Sequence, residues 1–327
     1  MKAPLIAALA AVLAAGPAFS FDLQGHRGAR GLMPENTLPG FAKALSLGVT
    51  TLELDLAMTS DGTLVVTHDA KLNGDVVRGP DGAYIGEAGA LIRELTLDEV
   101  RKYDVGTLRA GSGYAGTFKD QQPVPGTRMP TLAEVVALAE KAGAAGIRYN
   151  IEVKVNPTQP ELTADRAAFT EAAVAEIERL GIRDRTTLQS FDWAVPMQAQ
   201  KIQPALQTAY LTIARGRNDN LQRGRPDASP WLGGLDIDDF AGSAPKAVAK
   251  AGGAIWSPFF RDMTDEDIAT ARDLGLKVIP WTVNEPQDMA NLVDRGVDGI
   301  ITDYPDRLRA VLIEKKKPLP MAYPVQP

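Results

Sequence analysis

The chain has 327 residues, of which 45% are hydrophobic and 23% charged, a composition typical of folded globular proteins rather than disordered ones. Its formal net charge is −6, and its one dense basic cluster is Lys315-Lys316-Lys317, so it offers no basic face for nucleic acid. It has no cysteine, which excludes disulfides and leaves stability to an extensive core or a bound metal.

The first 20 residues have the pattern of a cleavable secretory signal. Lys2 precedes an apolar run over residues 4–15, and small residues at Ala18 and Ser20 come just before Phe21. The alternative is a membrane anchor, but a run of about 12 residues is shorter than the roughly 20 that span a bilayer. We therefore expect an exported, periplasmic protein that begins near Phe21 and has no stable membrane anchor.

Short apolar runs alternate with helix-like segments along the rest of the chain. Eight runs are predicted strands, at residues 22–25, 50–57, 147–154, 186–191, 207–212, 254–258, 277–283 and 299–303. Helix-like segments include residues 131–142, 165–180, 265–274 and 286–295. Several of them begin at Thr or Asp and end before Gly, as capped helices do. This repeated alternation indicates a parallel sheet.

Eight strands alternating with helices predict an α/β fold, a TIM (β/α)8 barrel, in one catalytic domain over residues 21–327. Active-site residues are then expected at the C-terminal ends of strands. A ninth run, at 234–239, is short and acid-rich, and we interpret it as an extra element in a loop. A doubly wound sheet is the alternative, although no Gly-x-Gly-x-x-Gly follows the first strand.

One segment, at about residues 73–129, interrupts the alternation. It is rich in Gly and Pro and holds one clear helix, at residues 96–103. Because an insertion after a barrel strand lies on the catalytic face, we expect this segment to form one wall of a substrate cleft.

The chain has two histidines, His26 and His68, and each comes at the end of an apolar, strand-like run. A lone histidine is commonly a satisfied core or surface residue. Two histidines at strand ends and amid carboxylates favour acid–base chemistry instead.

Carboxylates alternate with aliphatic residues on two of the predicted strands. Glu53 and Asp55 share one face of their strand, and Asn150, Glu152 and Lys154 share one face of the next. An amphipathic edge strand with solvent-facing acids would give the first pattern equally well. If the acids point into a barrel, three carboxylates would repel one another unless a cation neutralised them, and all-oxygen ligation selects Mg²⁺ or Ca²⁺.

These residues belong to an ordered series of short motifs. The series comprises His26-Arg27-Gly28, Pro34-Glu35-Asn36-Thr37, Glu53-Leu54-Asp55, Thr59-Ser60-Asp61-Gly62, His68-Asp69, Leu95-Thr96-Leu97-Asp98-Glu99, Met129-Pro130-Thr131-Leu132, Ile151-Glu152-Val153-Lys154, Gln189-Ser190-Phe191, Trp281-Thr282-Val283-Asn284 and Gly296-Val297-Asp298-Gly299-Ile300-Ile301-Thr302-Asp303. In this order, over about residues 24–310, they resemble the glycerophosphodiester phosphodiesterase family. Residues 224–242 are not matched by the motifs.

The resemblance implies a TIM-barrel enzyme that hydrolyses small glycerophosphodiesters to glycerol 3-phosphate and an alcohol. In that reading Glu53, Asp55 and Glu152 hold one divalent cation, Ca²⁺ or Mg²⁺. His26 and His68 form the general acid–base pair. The attacking group implied is the neighbouring hydroxyl of the glycerol itself, which forms a cyclic phosphate that water later opens.

The resemblance also implies a set of substrate contacts. Arg27 and Lys154 would bind phosphate, and Glu35 would orient His26 or complete the metal's surroundings. Trp281 could pack on the glycerol carbons, although a buried core position remains the alternative.

Three other functions are compatible with a barrel. A glycosidase could use Glu53 and Glu152 as its carboxylate pair, but it would leave both histidines without a role. A binding protein for phosphodiesters would not need the two histidines either. A lysophospholipase D would need an apolar entrance for acyl chains, which the sequence does not establish, so water-soluble substrates are preferred.

Overall fold

The computed structural model describes residues 21–86 and 89–327. The predicted secretory signal lies outside these residues. Within them, no helix combines the length and the apolar character that crossing a membrane requires.

Eight parallel strands form a barrel, and a ninth strand lies beside it. The strands are β1 (Asp22–Gly25), β2 (Thr51–Met58), β3 (Leu64–Val66), β4 (Arg148–Val153), β5 (Thr186–Ser190), β6 (Gln207–Thr212), β7 (Ile255–Pro258), β8 (Lys277–Val278) and β9 (Gly299–Thr302). The parallel strands pair in the order β8-β7-β6-β5-β4-β2-β1-β9, while β3 pairs antiparallel with β2. The chain around β8 closes the ring, because Asp298 N–H donates to Val278 O at 2.9 Å and Ile301 N–H to Pro280 O at 3.0 Å. The TIM-barrel prediction is confirmed.

Ten α-helices follow or interrupt the strands. They are α1 (Leu38–Leu47), α2 (Leu97–Val100), α3 (Gly113–Thr117), α4 (Leu132–Lys141), α5 (Arg166–Arg179), α6 (Ala194–Ile202), α7 (Ala244–Lys250), α8 (Asp265–Asp273), α9 (Pro286–Asp294) and α10 (Pro305–Glu314) among the described residues. The predicted caps are present. Thr131 and Thr264 each accept a hydrogen bond from the backbone three residues on, in capping boxes that begin α4 and α8.

The run at 234–239 forms no strand, in agreement with its interpretation as an extra element in a loop, and leads into a 3₁₀ helix at Ile237–Phe240. The predicted strands differ from the observed ones in two places. Strand β3 was not among the eight predicted runs. Strand β8 ends at Val278, well before residue 283, because Pro280 has no N–H to continue a regular ladder.

The alternation in β2 separates two environments. Leu52, Leu54 and Leu56 are fully buried in the main hydrophobic core. Glu53 and Asp55 are each 1% exposed, and their strand is flanked by β1 and β4, so the edge-strand alternative is excluded. The aliphatic side chains therefore pack outside the barrel, and the acids lie inside it.

The segment at 73–129 forms a small packed unit of its own. Its helix at 96–103 is shorter than predicted, since α2 ends at Val100, and the sequence analysis missed α3. Val77, Ile92 and Val105 belong to a second hydrophobic cluster, which is separate from the main core of the barrel. The segment reaches the barrel mouth through Tyr114, as described below.

Candidate active site

The first site residues lie on a tight turn after β1. Gly28 has φ +86°, and a Cβ there would lie 2.7 Å from the carbonyl carbon of Gly40, so the turn requires glycine. Arg27 N–H donates to Oε2 of Glu53 at 2.8 Å, which ties the turn to β2. The turn thus brings His26 and Arg27 to the mouth of the barrel, where both line a cleft.

Three carboxylates meet inside the barrel, on the adjacent strands β2 and β4. Each of Glu53, Asp55 and Glu152 offers an oxygen, all within 4.8 Å of one another, and all three residues are buried. Adjacent register explains the cluster, since Asp55 pairs directly with Glu152. These acids fit a hard divalent cation, because their oxygens are the ligands that Mg²⁺ and Ca²⁺ prefer.

Amide side chains hold two of these carboxylates in place. Gln189 Nε2 donates to Oε1 of Glu53 at 2.9 Å, and Asn36 Nδ2 donates to Oδ2 of Asp55 at 2.9 Å. Such outer contacts orient carboxylates that ligate a metal. Sequence reasoning quoted both amides within motifs but assigned them no role.

The electrostatics of the cluster also favour a cation. Burial and then repulsion from Asp55 raise the pKa of Glu53 well above its ordinary value. Burial raises the pKa of Glu152 to about 7, although Lys154 opposes this. Burial would raise the pKa of Asp55 as well, but Arg27 and Lys154 outweigh it and hold that pKa well below its usual range. Added positive charge at the cluster would lower the pKa values of Glu53 and Glu152 and so favour their ionised forms.

Two cationic side chains flank the carboxylates. Lys154 Nζ lies 2.9 Å from Oε1 of Glu152 and 3.7 Å from Oδ1 of Asp55. Arg27 Nε lies 3.3 Å from Oδ2 of Asp55. Both cations line the cleft, so an anion bound over the carboxylates would meet two positive groups.

His26 contacts a carboxylate that directly follows the last strand. Its Nδ1 lies 2.6 Å from Oδ1 of Asp303, and its Nε2 lies 4.0 Å from Oε2 of Glu53. Asp303 is held in turn by Nε and Nη2 of Arg30, at 2.8 and 3.0 Å, and by Nδ2 of Asn284 at 2.7 Å. Burial and then Arg30 lower the pKa of His26 to about 4, so the ring is neutral at pH 7.

His68 has a similar arrangement and lines the same cleft. Its Nδ1 lies 2.7 Å from Oδ1 of Asp69, and Asp69 also accepts from Nδ2 of Asn73 at 2.7 Å. Burial and then Arg27 lower the pKa of His68. In a neutral ring that donates from Nδ1 to a carboxylate, Nε2 is the proton acceptor. Each histidine is therefore prepared for proton transfer at Nε2.

Glu35 contacts Arg27 rather than His26. It accepts from Nη1 of Arg27 at 2.8 Å and from the hydroxyl of Tyr114, whereas the carboxylate in contact with His26 is that of Asp303. Glu35 is not one of the three clustered carboxylates. That Glu35 completes the metal's surroundings stays a prediction.

The cleft above these residues has a volume of about 780 Å³. Trp281 lines it, half-buried, with its ring 5.3 Å from that of Phe191 and 5.5 Å from that of Phe259. Trp281 is therefore a wall residue rather than a core residue. Trp256, in contrast, is 2% exposed and donates from Nε1 to Thr212, so it belongs to the core.

Residues 224–242 contribute little to the charged site. Trp231 lines the outer cleft. Asp236 accepts from the backbone of Asp238, and Asp238 accepts from Gly224 N–H at 2.8 Å. These acids stabilise their own loop.

The chain is similar to known proteins over nearly its whole length. Residues 26–307 match the model of the glycerophosphoryl diester phosphodiesterase family. A glycerophosphodiester phosphodiesterase of Caldanaerobacter subterraneus is 29% identical over 283 residues, which cover 86% of this chain and 94% of that protein. One from Bacillus subtilis is also 29% identical and covers 88% of this chain and 84% of its own length.

Solved structures agree with this similarity. A Silicibacter pomeroyi protein assigned the same activity superposes with a TM-score of 0.79 at 38% identity, over 92% of this chain and 96% of that one. An Oleispira antarctica phosphodiesterase in complex with its product sn-glycerol-3-phosphate has a TM-score of 0.65 at 19% identity, over 90% and 98% of the two chains. The second likeness supports the barrel fold.

Proposed function

This chain belongs to the glycerophosphoryl diester phosphodiesterase family, and we propose how its cleft hydrolyses glycerophosphodiesters to glycerol 3-phosphate and an alcohol. One observation carries the proposal. Two histidines, each in contact with its own carboxylate, line the same cleft as two cationic side chains and two members of the buried three-carboxylate cluster. This set of groups can bind a phosphodiester and move protons on either side of its phosphorus.

Glu53, Asp55 and Glu152 would hold one divalent cation, Mg²⁺ or Ca²⁺. Their burial, mutual approach and raised pKa values for Glu53 and Glu152 support this, since a cation would relieve the repulsion among them. Bound there, the cation would offset negative charge on the phosphoryl oxygens as it grows in the transition state.

Arg27 and Lys154 bind the phosphate from the protein side. Both side chains line the cleft and lie within 3.7 Å of Asp55, so they border the position that an anionic phosphate would take. Their positive charges complement the substrate within a chain that is acidic as a whole.

His26 and His68 divide the proton transfers. One, in its neutral form, takes a proton at Nε2 from the attacking hydroxyl. The other enters the reaction with a proton from solvent on Nε2 and gives it to the leaving alkoxide as the bond to phosphorus breaks. The attacking group is the glycerol hydroxyl next to the phosphoester, which forms a cyclic phosphate. Water then opens the ring by the reverse transfers, yielding glycerol 3-phosphate.

The leaving alcohol is a water-soluble headgroup. Polar side chains line part of the cleft, among them Asn156, Gln159 and Asn218, and they could form hydrogen bonds with a hydrated alcohol. Trp281 packs against the glycerol carbons.

The protein acts outside the cytoplasm. The charged start, short apolar run and small residues before Phe21 support export to the periplasm with removal of residues 1–20. N-terminal sequencing of the product from the periplasmic fraction should start near Phe21. An intact Met1 in the exported protein would contradict cleavage, and retention in the cytoplasm would contradict export.

Turnover of a substrate panel tests the proposed function. Purified protein would be given glycerophosphocholine, glycerophosphoethanolamine, glycerophosphoglycerol or lysophosphatidylcholine, each with Mg²⁺ or Ca²⁺. We expect release of glycerol 3-phosphate from the soluble diesters and little reaction with the lysophospholipid. Absence of glycerol 3-phosphate with every diester and both metals would reject the proposal.

A further inference from the structure

Tyr114, from the inserted segment, contacts two charged residues at the barrel mouth. It lies on α3, and its hydroxyl donates to Oε2 of Glu35 and accepts from Nη1 of Arg30 at 3.3 Å. A tyrosine hydroxyl has one proton to donate, so these two bonds have a fixed direction. Burial raises the pKa of Tyr114, and the hydroxyl therefore keeps that proton at neutral pH.

Each of these contacts leads to a different part of the site. Glu35 accepts from Nη1 of Arg27 at 2.8 Å, so the first contact sets the guanidinium that faces the phosphate. Arg30 binds both oxygens of Asp303, and Asp303 holds Nδ1 of His26, so the second contact reaches the proton-transfer group.

The inserted segment also supports Arg30 from its other face. The guanidinium carbon of Arg30 lies 4.6 Å from the ring centroid of Phe118, which is 6% exposed. Arg30 is therefore fixed by the insertion on one side and by Asp303 on the other.

We propose that Tyr114 is a positioning residue through which the inserted segment sets both the phosphate-binding Arg27 and the acid–base residue His26. The insertion then has a role beyond forming one wall of the cleft, because it fixes the positions of Arg27 and His26 on the barrel. This inference rests on the proposed function for its kinetic readout, but its binding readout needs no turnover.

The test is Tyr114→Phe, which removes one oxygen and keeps the ring. We expect kcat/KM to fall on the order of 10-fold, with KM raised through Arg27 and kcat lowered through His26. The Kd for inorganic phosphate, measured by calorimetry at a fixed Mg²⁺ concentration, should rise by several-fold. A general loss of folded protein would change the active fraction and would not change KM or Kd.

Tyr84→Phe is the matched control. Tyr84 lies in the same insertion, and its hydroxyl donates to the backbone oxygens of Thr107 and Leu108, at 3.1 and 2.9 Å, away from the site. This variant should keep the wild-type KM, kcat and phosphate Kd even if its melting temperature falls.

A second variant distinguishes the contact of Tyr114 with Arg30 from its contact with Glu35. Phe118→Leu removes the ring over which Arg30 lies. Because Phe118 also packs on Tyr114, with 5.1 Å between ring centroids, this variant should lower kcat more than it raises the phosphate Kd. Wild-type values of KM, kcat and Kd in folded Tyr114→Phe, or equal changes in the Tyr84→Phe control, would overturn the proposal. Failure of the wild type to cleave any diester would count against the proposed function, and the phosphate Kd values would still decide the role of Tyr114.

Discussion

Nδ1 of His26 lies 2.6 Å from Oδ1 of Asp303, although the two residues are 277 positions apart in the chain. The first and last strands of the barrel are neighbours, and the residue after each carries one partner of this pair. His68 and Asp69 make the equivalent contact between adjacent residues. The barrel therefore builds two similar histidine–carboxylate pairs by unrelated routes, one through closure of the ring and one locally.

Replacement of Asp303 by Asn should slow the reaction while keeping the size of the side chain. The uncharged amide could no longer offer His26 a negative acceptor, and the ring would lose both its preferred tautomer and its orientation. We expect kcat to fall by about 10- to 100-fold. Steady-state kinetics on the folded variant would measure this. Asp298→Asn is a matched control, because Asp298 precedes the same strand but accepts a hydrogen bond from Val278 N–H, away from His26. Similar kcat values for the two variants would contradict the role of Asp303.

His26→Ala and His68→Ala should each abolish most of the turnover. If one residue gives a proton and the other takes one, loss of either leaves a transfer without its group, and kcat should fall by on the order of 10² to 10⁴. Because the two act in one reaction, the double variant should lose much less than the product of the two single losses. Near-normal kcat in either folded single variant would remove that histidine from the mechanism.

Metal removal should reduce both activity and stability. A ligand that binds only the folded state, at a free concentration 100 times its Kd, adds about 2.7 kcal/mol to the free energy of unfolding. Chelation should therefore lower the melting temperature. Re-addition of Mg²⁺ or Ca²⁺ should restore both properties. Full turnover after chelation, with metal absence verified by elemental analysis, would exclude the cation from the mechanism.

A double variant controls for direct effects of the chelator. Glu53→Gln with Glu152→Gln removes two of the three carboxyl groups that would ligate the cation, together with the cost of ionising them in a buried site, so the metal-free protein should be at least as stable as the wild type. Its melting temperature should then be insensitive to chelator and to added Mg²⁺. An equal chelator effect on the wild type and the double variant would show that the ion binds elsewhere.

The barrel and its charged centre could be predicted because they depend on local patterns. Period-two alternation in β2 placed Glu53 and Asp55 on one face, and the structure puts that face inside the barrel. Strand ends located His26 and His68 in the same way. Asp303 had the same signal, since it comes at the end of a predicted strand, but the sequence argument did not use it.

Other contacts had no signal in the sequence. Tyr114 and Glu35 are 79 positions apart, and the segment that carries Tyr114 has neither strand nor long-helix periodicity. The resemblance gave Glu35 a role at His26 or around the metal, and it could not show the contact of Glu35 with Tyr114. The apolar run before His68 was recognised as strand-like but not counted among the eight strands, since three residues, Leu64–Val66, are too few to show alternation.

The attacking group can be identified with an altered substrate. Direct attack by water and attack by the glycerol's own hydroxyl could both use the same cation and the same two histidines, so variants of the protein do not separate the two routes. The substrates that they require differ. A hydroxyl next to the phosphoester is held near phosphorus by covalent connection, and such placement can contribute up to about 7–11 kcal/mol to lowering a barrier.

A diester that lacks this hydroxyl should therefore bind but not react. Its phosphate still meets Arg27 and Lys154, so it should act as a competitive inhibitor with a Ki close to the Kd of the normal substrate. Release of the leaving alcohol from this deoxy analogue would be measured beside that from the normal diester, and early products of the normal diester would be examined by ³¹P NMR for a cyclic phosphate. Similar rates for both diesters, with no cyclic phosphate at any time, would show that water attacks directly; the phosphodiesterase activity itself would stand, and His26 or His68 would then activate that water instead of the hydroxyl.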